Sequence, residues 1–212
     1  LEFLFLYWSL AFTPVSRSLI FLYTHPFWVA LGAHFLFKND RLTPAKMIGL
    51  VLSFAGVAAV FQALSPKLPA LYWVGDLMAL SAALFWAATT LYVKRLTSLI
   101  RLDHYQTLFA QLIFSLPVLA LGTALFELPA ALDLNPVVLT ALFYQGVIVA
   151  FASYLAWFWL IQRHLVSRLA AFTFLAPLFG VILGGLVLEE PVTALVWLGL
   201  ACVAGGVYVV NR

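Results

Sequence analysis

The sequence predicts an all-α integral membrane protein, an inverted-repeat helical bundle with eight transmembrane helices present of an expected ten. Three observations predict it. Apolar residues make up 65% of the 212 residues and charged residues 9%, where a soluble domain carries about 25% charged residues. Uncharged windows run over 18–37, 48–66, 77–93, 104–126, 134–162, 169–188 and 191–211. Most reach the roughly 20 residues that a helix needs to cross about 30 Å of hydrocarbon. The two halves also repeat each other: Arg17 precedes Pro26 by nine positions, and Arg168 precedes Pro177 by the same nine. Trp8 and Ser16 fall opposite Trp159 and Ser167, Asp40 opposite Glu190, and Gly49 and Gly56 opposite Gly199 and Gly206. Copies separated by five crossings are inverted relative to each other, a common design of secondary transporters.

Taken in order, the elements are these. The runs are continuously apolar and do not alternate, so they read as helices rather than barrel strands. The first apolar run, 2–12, is too short to span. It also lacks the basic start and small-residue cleavage site of a signal peptide. If the first half mirrors the five crossings of the second, two helices precede Leu1 and the full protein has ten. A helix follows over about 16–37. The next begins at Thr43-Pro44, where threonine can cap and proline suits the first turn, and ends near residue 63. A linker, 65–69, joins the repeats, which divide the chain into 1–66 and 67–212. The second repeat supplies helices over about 73–96, 104–126, 137–162, 167–188 and 193–210. All connections are short, leaving no extramembrane domain for a separate activity.

Charge orients the bundle. With the C-terminus in the cytoplasm, the inner side holds Lys38, Arg41, Lys46, Lys94, Arg95, Arg101, Arg163, Arg168 and Arg212. The outer side holds only Arg17 and Lys67, with Glu127, Asp133, Glu189 and Glu190. That bias is the one expected when positive loops stay inside. It also accounts for the pI of 9.1 without nucleic-acid binding, because the charges are scattered through short loops. The single cysteine, Cys202, excludes an internal disulfide and reads as a small packing residue. His25, His34, His104 and His164 show no metal-ligand spacing. No phosphate loop or nucleophile elbow occurs. The sequence therefore calls for no cofactor, no metal and no catalytic residues.

The mid-helix prolines Pro26 and Pro177, the acidic turns Asp40-Arg41-Leu42-Thr43 and Leu188-Glu189-Glu190-Pro191, and the glycine-bearing helix after each carry a family resemblance. So does Gly75-Asp76-Leu77-Met78-Ala79-Leu80 with Ala87. The chain resembles the EamA family of the drug/metabolite transporter superfamily over its whole length, with the first repeat lacking two helices. Asp40 stands where that family usually has glutamate. The resemblance implies a central cavity lined by the first four helices of each repeat, with the last helix of each as an outer support. Small-residue ridges suit close packing of those last helices: Gly49-x-x-x-Ser53, Ala201-x-x-x-Gly205 and Cys202-x-x-x-Gly206. Gly180-x-x-x-Gly184 offers another ridge, and Ala79, Ala83 and Ala87 a further one. They suit intramolecular packing or a homodimer.

A proline inside a helix removes one backbone hydrogen bond and displaces the carbonyl four residues back, here those of Leu22 and Thr173. Pro26 and Pro177 are thus candidate hinges for alternating access, or static kinks. His25 stands beside the first break near mid-membrane, where an ionisable side chain is a functional candidate. It suits solute binding or proton uptake, against the alternative of a neutral histidine bonded to a neighbouring helix. Its repeat mate is Ala176. Glu2, the repeat mate of Ser153, is the second such candidate. Asp76 reads as interfacial, and Arg17 and Arg168 read as snorkelling toward headgroups or attracting an anion. Trp8, Tyr23, Trp86, Tyr154 and Trp157 are candidate aromatic cavity walls, and Gln111 and Thr173 candidate polar ones.

These readings converge on a secondary carrier that moves a small organic metabolite across a bilayer by alternating access. The resemblance points to an exporter of amino acids or related compounds in the bacterial inner membrane. A non-transporting scaffold or non-functional fragment is the alternative, and a membrane-embedded enzyme a further one.

Overall fold

A computed structural model describes residues 2–62, 70–100, 102–126, 135–187 and 194–212. Their regular structure is helical throughout. The linker 65–69, the acidic turn 188–191 and Thr193 lie outside the described residues.

Helix α1 spans Glu2–Ser9 and ends in tight turns, with the Thr13 amide returning to the Ser9 carbonyl. Pro14 then starts α2, Val15–Leu22, and α3 covers His25–Leu36. The expected single helix over 16–37 is thus interrupted at Tyr23-Thr24, and the cause is Pro26. It has no amide hydrogen, so Thr24 bonds three residues back to Phe21 and Phe27 takes the Thr24 carbonyl. The second repeat does the same. Helix α9, Val166–Ala171, runs into a 3₁₀ turn at Phe172–Phe174 before α10, Leu175–Val187, with Pro177 the third residue of α10 where Pro26 is the second of α3.

Helix α4, Pro44–Gln62, starts as the threonine-proline pair predicts, the Thr43 hydroxyl accepting from the Lys46 amide at 3.3 Å. Helix α5, Tyr72–Leu99, outruns its expected end at 96. The hydroxyls of Thr97 and Ser98 bond back to the Val93 and Arg95 carbonyls, so the polar residues continue the helix. Helix α6, His104–Phe126, has the expected bounds. Its start is a reciprocal cap: the Asp103 amide donates to Gln106, and the Tyr105 amide to the Asp103 carboxylate. Helix α7, Pro136–Phe143, is capped by Asn135 accepting from Val138 at 3.0 Å. The chain then widens into π-helical turns over Tyr144–Ser153 before α8, Tyr154–Arg163. A plain helix over 137–162 is the sequence expectation, and no proline marks the change. Helix α11 closes the chain over Ala194–Asn211.

Among the described residues, five helical stretches are long and apolar enough to cross a membrane: Val15–Leu36, Pro44–Phe61, Tyr72–Leu99, His104–Leu125 and Pro136–Arg163. Val166–Gly180 and Trp197–Asn211 are shorter apolar helices. Two compact units share these elements, Leu1–Tyr92 with His164–Arg212, and Val93–Arg163.

In the first unit α4 lies along α11, and the small residues decide how closely. A Cβ on Gly56 would sit 2.6 Å from the Gly199 carbonyl, and one on Gly49 would sit 2.6 Å from that of Gly206. Backbones therefore touch at two places, which brings Leu50, Val57, Val203 and Val207 into one buried layer with Phe174. Of the predicted ridges, Gly49/Ser53 and Cys202/Gly206 serve this contact. Ala201/Gly205 does not: Ala201 is exposed and Gly205 meets only Leu52 at 3.8 Å. Gly180 likewise has nothing within 4 Å, so at that position no close approach is made among the described residues. Spacing of four marks small residues but not the face that meets a neighbour. In the second unit α6 packs on α8, burying Leu108, Phe158 and Ile161. Lys94 caps the end of α8 through the carbonyls of Ile161 at 2.7 Å and Gln162 at 3.2 Å.

Candidate functional site

His25 is the first residue past the α2–α3 break and is 0% exposed. The break places it: Tyr23 and Thr24 leave the helical path, and α3 restarts at His25 with Pro26 behind it. Its imidazole lies flat on the Trp86 indole of α5, ring centres 3.9 Å apart and 11° from parallel. Both ring nitrogens are buried and have no hydrogen-bond partner among the described residues. The alternative of a histidine bonded to a neighbouring helix is therefore not what this geometry contains. Thr24 is tied locally, its hydroxyl donating to the Phe21 carbonyl and accepting from Trp28 Nε1.

The other candidates separate. Tyr23 turns toward the layer around α4, its ring centre 6.3 Å from that of Phe61 and 6.4 Å from that of Phe174. Thr173 sits beside Phe174, its hydroxyl bonded to the Ala170 carbonyl. Glu2 is half-buried in the first turn of α1, and Trp8 is largely exposed near the end of that helix. Gln111, Tyr154 and Trp157 belong to the second unit, each half-buried. The Gln111 carbonyl accepts from Ser115, and Tyr154 packs edge-on against Phe158. Among the described residues, no group of three or more His, Cys, Asp and Glu side chains could hold a metal ion.

Two polar clusters of the first unit were not legible from spacing. At one end, Arg17 is held by a partner that the sequence did not suggest. Its Nε and Nη2 grip the Asp76 carboxylate at 2.7–2.8 Å, while Thr13 donates to the same group at 3.0 Å. Tyr72 lies under the guanidinium at 4.8 Å. Asp76 is therefore a buried ion-pair partner. At the other end, Lys46 Nζ donates to Asp40 at 2.6 Å and to the Ser167 hydroxyl at 2.8 Å. The Ser167 amide donates to Asp40 at 2.9 Å, and its hydroxyl is also bonded to that carboxylate. Burial pushes the Asp40 carboxyl up, but the bonds from Lys46 and Ser167 and the Lys46 charge outweigh it and hold the group below its ordinary value. This cluster ties the turn after α3 to the start of α9, residues 127 apart in sequence. Ser16, the repeat mate of Ser167, has a buried hydroxyl with no partner among the described residues.

Comparison with known proteins agrees with this architecture. The sequence profile of the EamA-like transporter family matches residues 1–62 and 73–212. An uncharacterized transporter of Bacillus subtilis, YvbV, is 30% identical over 83% of this chain and 56% of its own length. A probable amino-acid metabolite efflux pump of Escherichia coli is 23% identical over 98% of this chain and 71% of its own. The chain thus spans under two thirds of the first relative. A solved crystal structure superposes with a TM-score of 0.88 at 20% identity, covering 99% of this chain and 73% of that one, which is a likeness of fold. With a profile match over nearly its whole length, a helical membrane fold and relatives that are transporters, the chain belongs to the EamA-like transporter family.

Proposed function

We propose that this protein is a secondary carrier that exports small organic metabolites, amino acids or related compounds, by alternating access. The observation that carries the reading is the buried His25–Trp86 pair at the proline break. A polar ring with unmet hydrogen bonds, stacked on an aromatic face inside an apolar bundle, is a group held for a ligand rather than for stability. The break beside it offers a place to bend, so binding and movement would share one location. The amino-acid class is the one in the name of the E. coli relative. The two halves, 1–66 and 67–212, act as inverted repeats in this reading. The surplus of basic residues on one side supports a multi-pass protein of the bacterial inner membrane with a cytoplasmic C-terminus.

The test compares, by mass spectrometry, spent medium from cells expressing the protein, its His25→Ala form at matched membrane level, and an empty vector. A solute enriched only with the unmodified protein is the expected result. Identical media from all three would remove the exporter reading and leave import or a scaffold role.

A further inference from the structure

Thr90 lies one turn beyond Trp86 on the same face of α5 and is 2% exposed. Threonine in a helix commonly turns its hydroxyl onto the carbonyl four residues back. Thr89, Thr97 and Thr107 do so, bonding Phe85, Val93 and Asp103. Thr90 does not. Its Oγ1 is buried with no hydrogen-bond partner among the described residues, although the Trp86 carbonyl stands four residues behind it. The two nitrogens of His25, whose ring stacks on Trp86, are in the same condition. Buried polar atoms are almost always bonded, so bare atoms on the ring that stacks on Trp86 and on the residue one helical turn from Trp86 point to a shared place.

We propose that His25 and Thr90 form one occluded hydrogen-bonding site beside the Trp86 indole, which takes an uncharged polar group of a solute such as a hydroxyl or carboxamide. Thr90 is its specificity-determining residue. The inference rests on the carrier reading above and names the chemistry of its site. An imidazole offers one donor and one acceptor and a hydroxyl offers both, so the fitting group also donates and accepts. A charged group fits poorly. No carboxylate or cation is bonded to any of the three atoms, and Asp76, further along the same helix, is already held by Arg17 and Thr13. A net charge would be buried there without a counter-ion. An ordered water molecule has the same bonding chemistry, and the test separates the two.

The readout is the ¹⁵N resonance of the His25 ring in protein labelled at histidine and held in lipid nanodiscs, assigned by its loss in His25→Asn. The probes are L-serine, L-threonine, L-asparagine and L-glutamine, with L-glutamate as the charged control. At least one uncharged probe should shift the resonance in wild type and Thr90→Ser, and bind about five-fold more weakly to Thr90→Val, the loss of one hydrogen bond. L-glutamate should leave the resonance in place. A resonance that moves in Thr90→Val but answers to no probe assigns the place to water and overturns the proposal. So does a Thr90→Val protein that binds the probes as wild type does. Efflux of the same probes from proteoliposomes judges the carrier reading separately. Flux indifferent to Thr90→Val removes only this site, and a responding resonance without flux removes only the carrier.

Discussion

Asp40 accepts from Lys46 and twice from Ser167, and both members of the ion pair are nearly excluded from solvent, at 2% and 9% side-chain exposure. Removing one charge leaves the other buried and unpaired, a loss of about 3 kcal/mol for such pairs. Asp40→Asn should therefore lower the melting temperature of the detergent-solubilised protein by several degrees, and Asp40→Glu should recover part of it. An unchanged melting temperature would show the cluster to be energetically idle. The pH dependence has a definite sign. Because the folded carboxyl titrates below its unfolded value, its contribution is complete above about pH 4 and fades as the pH falls through the folded value. The gap between wild type and Asp40→Asn should stay level from about pH 5 to 8 and close only in stronger acid. A gap that widens on acidification would contradict the assignment. Of these three residues, the sequence marked Asp40 by its acidic turn and Ser167 by its repeat mate, but nothing in it joined them to Lys46.

At the scale of elements, the prolines were legible and a missing amide hydrogen explains the breaks before Pro26 and Pro177, although α6 runs on unbroken through Pro117. Whether a break moves is a different matter. If α2–α3 bends in transport, Pro26→Ala should slow flux several-fold while keeping the protein folded, and unchanged flux would make it a static kink. The glycines teach the converse. Gly56 and Gly180 look alike as small residues in apolar helices, yet only Gly56 faces a backbone at 2.6 Å. Gly56→Leu should cost about 1–3 kcal/mol through overpacking and reduce the monodisperse yield, whereas Gly180→Leu should be tolerated. Equal behaviour would remove the close approach of α4 and α11 as a source of stability. The π-helical turns of Tyr144–Ser153 were not legible either, since no residue type demands them.

At the scale of the molecule, composition alone decided the solvent, because at 65% apolar and 9% charged the chain has too few charges to coat a water-soluble surface. The distribution of lysine and arginine then predicts a direction, with the C-terminus inside. Green fluorescent protein fused after Arg212 should fluoresce, and alkaline phosphatase fused there should be inactive. The reverse pattern would invert the topology. The repeat, the helical segments and the family were all present in one dimension, because periodicity, apolar length and residue spacing are properties of the chain itself. What met what was not. That His25 lies on Trp86, that Arg17 takes Asp76 rather than a headgroup, and that Thr90 turns from its own helix all depend on how helices distant in sequence are rotated against one another. Rotation is chosen by the summed packing of whole faces, a quantity no single position carries. The sequence thus determined the apolar helical character of the chain and marked the prolines beside which two helices break, and the tertiary structure alone decided which of the buried polar groups find partners and which have none among the described residues.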